Sequence, residues 1–207
     1  MAIVFLVGAC TPWQNRGAGE SVLKQWTRVE PPGPPEPKPV ELDPKKTALL
    51  ILDIETLTTN MTRRPRAVAS VPGIAKLLRQ ARQKGLPVLF STTSRGTRED
   101  ILPEVRPAGE EPVVKSSVDK FYNTDLDQML RDRGVGSVVI VGTAAEGAVL
   151  HTATAAAIRA YHVIVPVDGL SSSTLYAEQY VCWHLVNAPG SRRRTTLTRL
   201  DLITIAD

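Results

Sequence analysis

Three observations predict an α/β fold, with a three-layer, six-stranded, mostly parallel, doubly wound sheet between helices. Short aliphatic, β-branched runs recur without polar alternation, as parallel strands covered on both faces require. Stretches with helical spacing separate these runs, and strands alternating with helices imply right-handed crossovers. The chain has 207 residues, 43% of them hydrophobic, enough for one domain with a sizeable core.

In chain order, residues 1–46 read as a leader and linker, and 47–207 as the folded domain. The opening Ala2–Cys10 run is apolar but too short to span a membrane. Its Val7-Gly8-Ala9-Cys10 loosely matches a lipoprotein cleavage box, yet no basic start precedes it, so a first strand or a loosely ordered leader fits better. Glu30–Pro39 is proline-rich and predicts a stiff extended strap.

Ala48–Asp53 is the first predicted core strand and ends on a carboxylate. Val71–Lys84 has an apolar stripe (Ile74, Leu77, Leu78, Ala81), a proline near its start and Gly85 as its stop, which predicts a helix. Val88–Thr93 is the next strand, residues 94–112 a long loop, and Val113–Lys115 a short strand carrying a lysine. A helix is expected over Asp125–Gly134. Val163–Asp168 is a fifth strand, interrupted or near an edge because Pro166 has no amide to donate. Leu175–Asn187 predicts a helix and Thr196–Ile205 a closing strand.

The stretch that organises the rest is Ser137–Ala160. Its buried strand Val138–Val141 runs into a tight turn, Gly142-Thr143-Ala144-Ala145, and then an alanine-rich helix opening near Glu146. Ligands of open α/β sheets sit at such corners, against helix amides that favour negative charge.

Composition narrows the partners. The net charge is +4, partly from Arg192-Arg193-Arg194, and aromatics are only 5%, so nucleic acid is not expected. No membrane partner is expected either. The two cysteines, Cys10 and Cys182, have no zinc-like spacing and suit a reducing, cytoplasmic setting. Neither a metal nor a cofactor is expected.

Asp53 and Lys115 are the chemical oddities, each closing an apolar run at a strand's carboxyl end. A buried charge is costly unless paired, so the two are expected to pair at the sheet crevice, either as a working couple or as a structural salt bridge. Glu55 is placed at the pocket mouth or on a solvated loop. Phe121 either lines the pocket or packs under a helix. Asp119-Lys120 reads as a surface pair, His151 as an ordinary helix histidine, and Cys182 as core.

Leu50-Ile51-Leu52-Asp53, Val113-Val114-Lys115 with Asp119–Leu126, Val139–Ala144 and Val163–Gly169 together resemble the isochorismatase-like (cysteine hydrolase) superfamily over about residues 45–205. The resemblance implies a six-stranded parallel sheet of Rossmann type, a small-molecule substrate, and a homo-oligomer, a dimer or larger. It also implies an Asp/Lys/Cys site, with Asp53 and Lys115 in the first two places and Ala148 where the cysteine would fall. Thr143, Ala144 and Ala145 would form the oxyanion turn. Asn60–Arg64 stands where zinc-dependent relatives carry an Asp/His/His cluster.

Alanine has no lone pair to attack with, so a covalent acyl-enzyme is not expected. Three readings stay open. Asp53 acts as general acid on a vinyl ether, or it activates water on a C–N bond, or the chain is a silent binding or structural member or a Cys-to-Ala inactivated amidohydrolase. The turn sequence and Asp53-Ile54-Glu55 do not point to isochorismate itself.

Overall fold

A computed structural model describes residues 20–207. The expectations for the opening apolar run and Cys10 fall outside the described residues. The chain divides into two compact units at Gly33/Pro34. Of the first, the described part holds a single 3-10 turn, Trp26–Arg28, with Trp26 exposed.

The second unit is Pro34–Asp207. Its strands and helices run β1 (Val40–Leu42), β2 (Thr47–Leu52), α1 (Pro65–Gln83), β3 (Val88–Thr92), β4 (Val113–Lys115), α2 (Leu126–Asp132) and β5 (Ser137–Thr143). A π turn (Ala145–Val149) leads into α3 (Leu150–Ile158), then β6 (His162–Pro166), β7 (Leu170–Ser171), α4 (Leu175–Asn187), β8 (Thr195–Thr198) and β9 (Ile203–Ile205).

The main sheet has the order β4-β3-β2-β5-β6-β8, all parallel, and short β7 pairs with the end of β5. The predicted six-stranded parallel sheet is therefore present, with β7 as an addition. The β2 and β5 side chains split between two cores. Ala48, Leu50, Leu52, Val138 and Ile140 pack with α2, α3 and α4 on one face. Leu49, Ile51, Val139 and Val141 pack with α1 on the other, along with Leu42 and Ile203. Period-two projection from strands apolar on both sides produces these three layers.

Three boundaries differ from the sequence reading. Helix α1 starts at Pro65, not near Val71, because Pro65 takes the first helical position and Pro72 rides the exposed face inside the helix. The closing strand is two strands: a 3-10 turn at Leu200–Leu202 breaks it, and β9 leaves the main sheet to pair with β1. Strand β1 itself lies inside the stretch read as linker. Pro166 ends β6 one strand in from the edge strand β8, where a missing amide costs little.

Candidate functional site

The order of the strands brings the site together. From β2 the chain first builds outward through β3 and β4, then crosses to the other side of β2 with β5. The carboxyl ends of β2 and β5 thus flank a switch point, where open α/β sheets form a crevice. Leu52 is level with Gly142 and Ser91, so Asp53 emerges between the β3 end and the Gly142–Ala145 turn. Gly142 has φ +133°, and a Cβ there would lie 2.1 Å from the Leu52 carbonyl oxygen. Only glycine permits that approach.

Asp53 is 4% exposed and adopts φ +52°, which turns the chain out of β2. Its Oδ1 accepts the Ser91 hydroxyl at 2.6 Å, and its Oδ2 accepts Lys120 Nζ at 2.8 Å. Burial pushes the Asp53 carboxyl above the usual carboxylate range, and neighbouring Glu55 adds to this. The Lys120 charge and the hydrogen bonds from Lys120 and Ser91 pull the other way without cancelling it.

Lys120, not Lys115, is therefore the partner. Lys115 is exposed at the last position of β4, because alternation along that short strand buries Val114 instead. The segment after β4 folds back and buries Lys120 completely, so its expected place in a surface pair is also corrected. Its Nζ meets four oxygens: Asp53 Oδ2, Thr92 O at 3.3 Å, Ser116 O at 3.3 Å and Ser117 O at 2.6 Å. An ammonium has three protons, so Lys120 is fully used by the protein and anchors Asp53 rather than reaching outward.

The other expected site residues divide. Ala148 lies in the π turn, 3% exposed and within the core cluster that includes Val149 and Ala153. The Thr143–Ala144 peptide is cis. Thr143 is buried, its hydroxyl donating to Ser171 O at 2.9 Å, and Ala145 is buried as well. Ala144 O accepts the amides of Gly147 at 3.0 Å and Val149 at 3.2 Å, so Gly147 N is occupied within the turn.

Glu55 is neither at a mouth nor solvated. It is fully buried, accepting Thr93 Oγ1 at 2.7 Å and Thr93 N at 3.2 Å, and so fastens the loop after β3. Phe121 packs under α3, stacked on Tyr161 at 6.0 Å with the Arg159 guanidinium 4.8 Å from its ring. It belongs to the core, not to a pocket wall. His151 is exposed. Cys182 is buried in α4, and burial, with Glu178 as the lesser cause, pushes its thiol up to about 11. A thiol held protonated in that way is a poor nucleophile at neutral pH.

Sequence reasoning missed Ser91, Thr58 and Arg64. Ser91 opens a polar Ser-Thr-Thr end to an apolar strand, a legible signal. Thr58 donates its hydroxyl to the Asp53 carbonyl, and Arg64 Nη1 donates to the Thr58 carbonyl at 3.3 Å. Nothing local in the sequence marks either. Among the described residues there is no group of three or more His, Cys, Asp or Glu placed to hold a metal ion.

Comparison with known proteins agrees with this architecture. The isochorismatase domain family matches residues 47–194. The chain belongs to the isochorismatase family. A B. subtilis relative, the uncharacterised isochorismatase family protein YddQ, is 28% identical over 151 residues, 65% of this chain and 83% of that protein. The crystal structure of N-carbamoylsarcosine amidase from Thermoplasma acidophilum is similar at TM-score 0.66 and 25% identity, covering 75% of this chain and 97% of that one. An isochorismatase-like hydrolase from Alkaliphilus metalliredigens also has TM-score 0.66 and 25% identity, covering 75% and 95% respectively. No helix among the described residues is long and apolar enough to cross a membrane.

Proposed function

We propose that this isochorismatase-family chain is a small-molecule hydrolase that works through Asp53, anchored by Lys120, without a cysteine nucleophile. The observation that carries this reading is the buried Asp53–Lys120 pair at the sheet's switch point, with the carboxyl pushed upward by burial. Such a pair is a weak contributor to stability, so its place at the crevice argues for chemistry.

Two bonds suit an acid of that kind. On a vinyl ether, protonated Asp53 donates its proton to the terminal carbon. Water adds to the resulting oxocarbenium carbon and returns a proton, and the hemiketal collapses to a ketone and an alcohol. On a C–N bond, ionised Asp53 takes a proton from water, whose oxygen attacks the carbonyl. The tetrahedral oxyanion then collapses, and the nitrogen leaves carrying the proton that Asp53 returns. The turn amides of Ala144, Ala145, Glu146 and Ala148 are the oxyanion donors in this scheme, and each such donor is worth roughly 10²–10³ in rate. A small-molecule substrate and a homo-oligomer belong to the same reading, the latter checked by sedimentation velocity.

The second reading is a silent or sulfur-deleted amidohydrolase. Ala148, buried with only a methyl group at the helix start, favours it. A panel of amides, carbamoyl compounds and vinyl ethers separates the two. The nucleophile-free hydrolase turns over one class as it stands and loses that activity in Asp53→Asn. Turnover unchanged by Asp53→Asn refutes the role of Asp53. Amidase activity that arises only in Ala148→Cys establishes the second reading.

A further inference from the structure

Helix α1 begins beside the site, and its preceding residue, Arg64, is half-buried. The guanidinium is tied down on one side only, by the Nη1 bond to Thr58 O, and Thr58 in turn holds the Asp53 carbonyl. Its Nε is buried and has no hydrogen-bond partner. No carboxylate of the described residues lies within ion-pair distance of it. Burial, with the neighbouring Arg63 charge, disfavours the Arg64 cation, and the charges of Glu146 and Asp53 offset this only in part. Asp53 is already engaged by Lys120 and Ser91.

The surrounding segments are held in place. Ser173 Oγ donates to the Arg63 carbonyl at 3.4 Å, and Arg66 makes a two-pronged pair with Glu178 at 2.7 and 2.5 Å. Glu178 also accepts the Ser172 amide at 2.9 Å. This places the β7–α4 connection against the start of α1. Ser171 is level with Thr143 of the turn, and the hydroxyls of Ser171 and Ser172 are buried without partners. Of the four buried side-chain polar atoms lacking partners among the described residues, three come from these two adjoining segments; the fourth is Thr154 Oγ1. Native interiors rarely leave such groups unpaired, so each needs an explanation.

We infer that Arg64 recognises a carboxylate, or an equally planar anion, on the substrate. A guanidinium offers parallel N–H donors that match a carboxylate edge, and the Nε–H is the prong left vacant. The substrate is then a small acid whose scissile bond lies over Asp53. This inference rests on Asp53 being the reacting group for the position of that bond, but recognition of the anion is measurable without turnover.

Benzoate and benzyl alcohol form a suitable pair of probes, since neither has a hydrolysable bond. In isothermal titration the full chain should bind benzoate about tenfold more tightly than benzyl alcohol. Arg64→Gln should remove that preference and leave benzyl alcohol binding unchanged, while Arg64→Lys, which keeps the charge but not the fork, retains part of it. In ¹⁵N NMR of the unaltered chain, the Arg64 Nε–H resonance should move on adding benzoate and stay still with benzyl alcohol. Equal affinity for both probes, a preference that survives Arg64→Gln, or no benzoate binding at its highest soluble concentration overturns the inference. Loss of turnover in Asp53→Asn with the benzoate preference intact supports both readings. A benzoate preference in a chain that turns over nothing leaves recognition standing and removes only the hydrolase.

Discussion

A lysine that touches four oxygens and no solvent, holding a carboxyl that burial drives toward its neutral form, is the centre of the proposed site. Removing the cation with Lys120→Met leaves the Asp53 carboxylate without its buried counter-charge and the Ser116 carbonyl without its Nζ donor, while Thr92 O keeps the Ser116 amide. Destabilisation of about 3–5 kcal/mol is expected in urea unfolding, together with a further rise of the Asp53 pKa, because the charge that lowers it is gone. Since the folded pKa of Asp53 lies above its unfolded value, its stabilising contribution is complete below the ordinary carboxylate range. That contribution is lost as pH rises through the raised value. Relative to Asp53→Asn, the native chain should therefore lose stability across that window, as followed by thermal melts at several pH values. Activity reads the same titration in one of two directions. Acid chemistry on a vinyl ether falls as pH climbs past the Asp53 value, whereas base chemistry on a C–N bond rises.

At the scale of the elements, two junctions hold this centre in position. Gly142 lets β5 pass against the carbonyl of Leu52, the residue before Asp53. Gly142→Ala combines a positive φ with a backbone collision and should cost more than about 4 kcal/mol in chemical denaturation, or prevent folding. The second junction is Glu178, nearly buried, which joins Arg66 of α1 to the Ser172 amide at the head of α4. Glu178→Ala leaves that amide unpaired and should cost about 1–3 kcal/mol by the same method. The mobility of the Arg64 side chain should rise with it, visible as a loss of the benzoate preference.

The whole molecule was largely legible because its core pattern is simple. Strands such as Val138–Val141, apolar on both sides, can exist only inside a covered parallel sheet, and β5 is completely buried from Val138 to Thr143. Ile140→Ala should accordingly destabilise by about 2–5 kcal/mol. Asp53 was legible for the same reason, as a charge at the end of such a run. Lys120 was not. Its burial depends on a loop folding back after β4, whereas Lys115 sits in the strand pattern that periodicity rewards. Glu55 was obscured likewise, since its partner Thr93 comes from the loop after β3, distant in sequence. Strand β1 was hidden within a proline-rich stretch, and its partner β9 was merged with β8, because Arg199-Leu200-Asp201-Leu202 keeps the polar–apolar alternation of a strand through the 3-10 turn.

The pairing of a buried acid with Lys120 is tested most directly by a ¹³C NMR titration of the Asp53 carboxyl in the native chain and in Lys120→Met. The account predicts a native titration midpoint above the usual carboxylate range, moving higher still when the ammonium is removed. A midpoint at or below that range, or one indifferent to Lys120→Met, contradicts it.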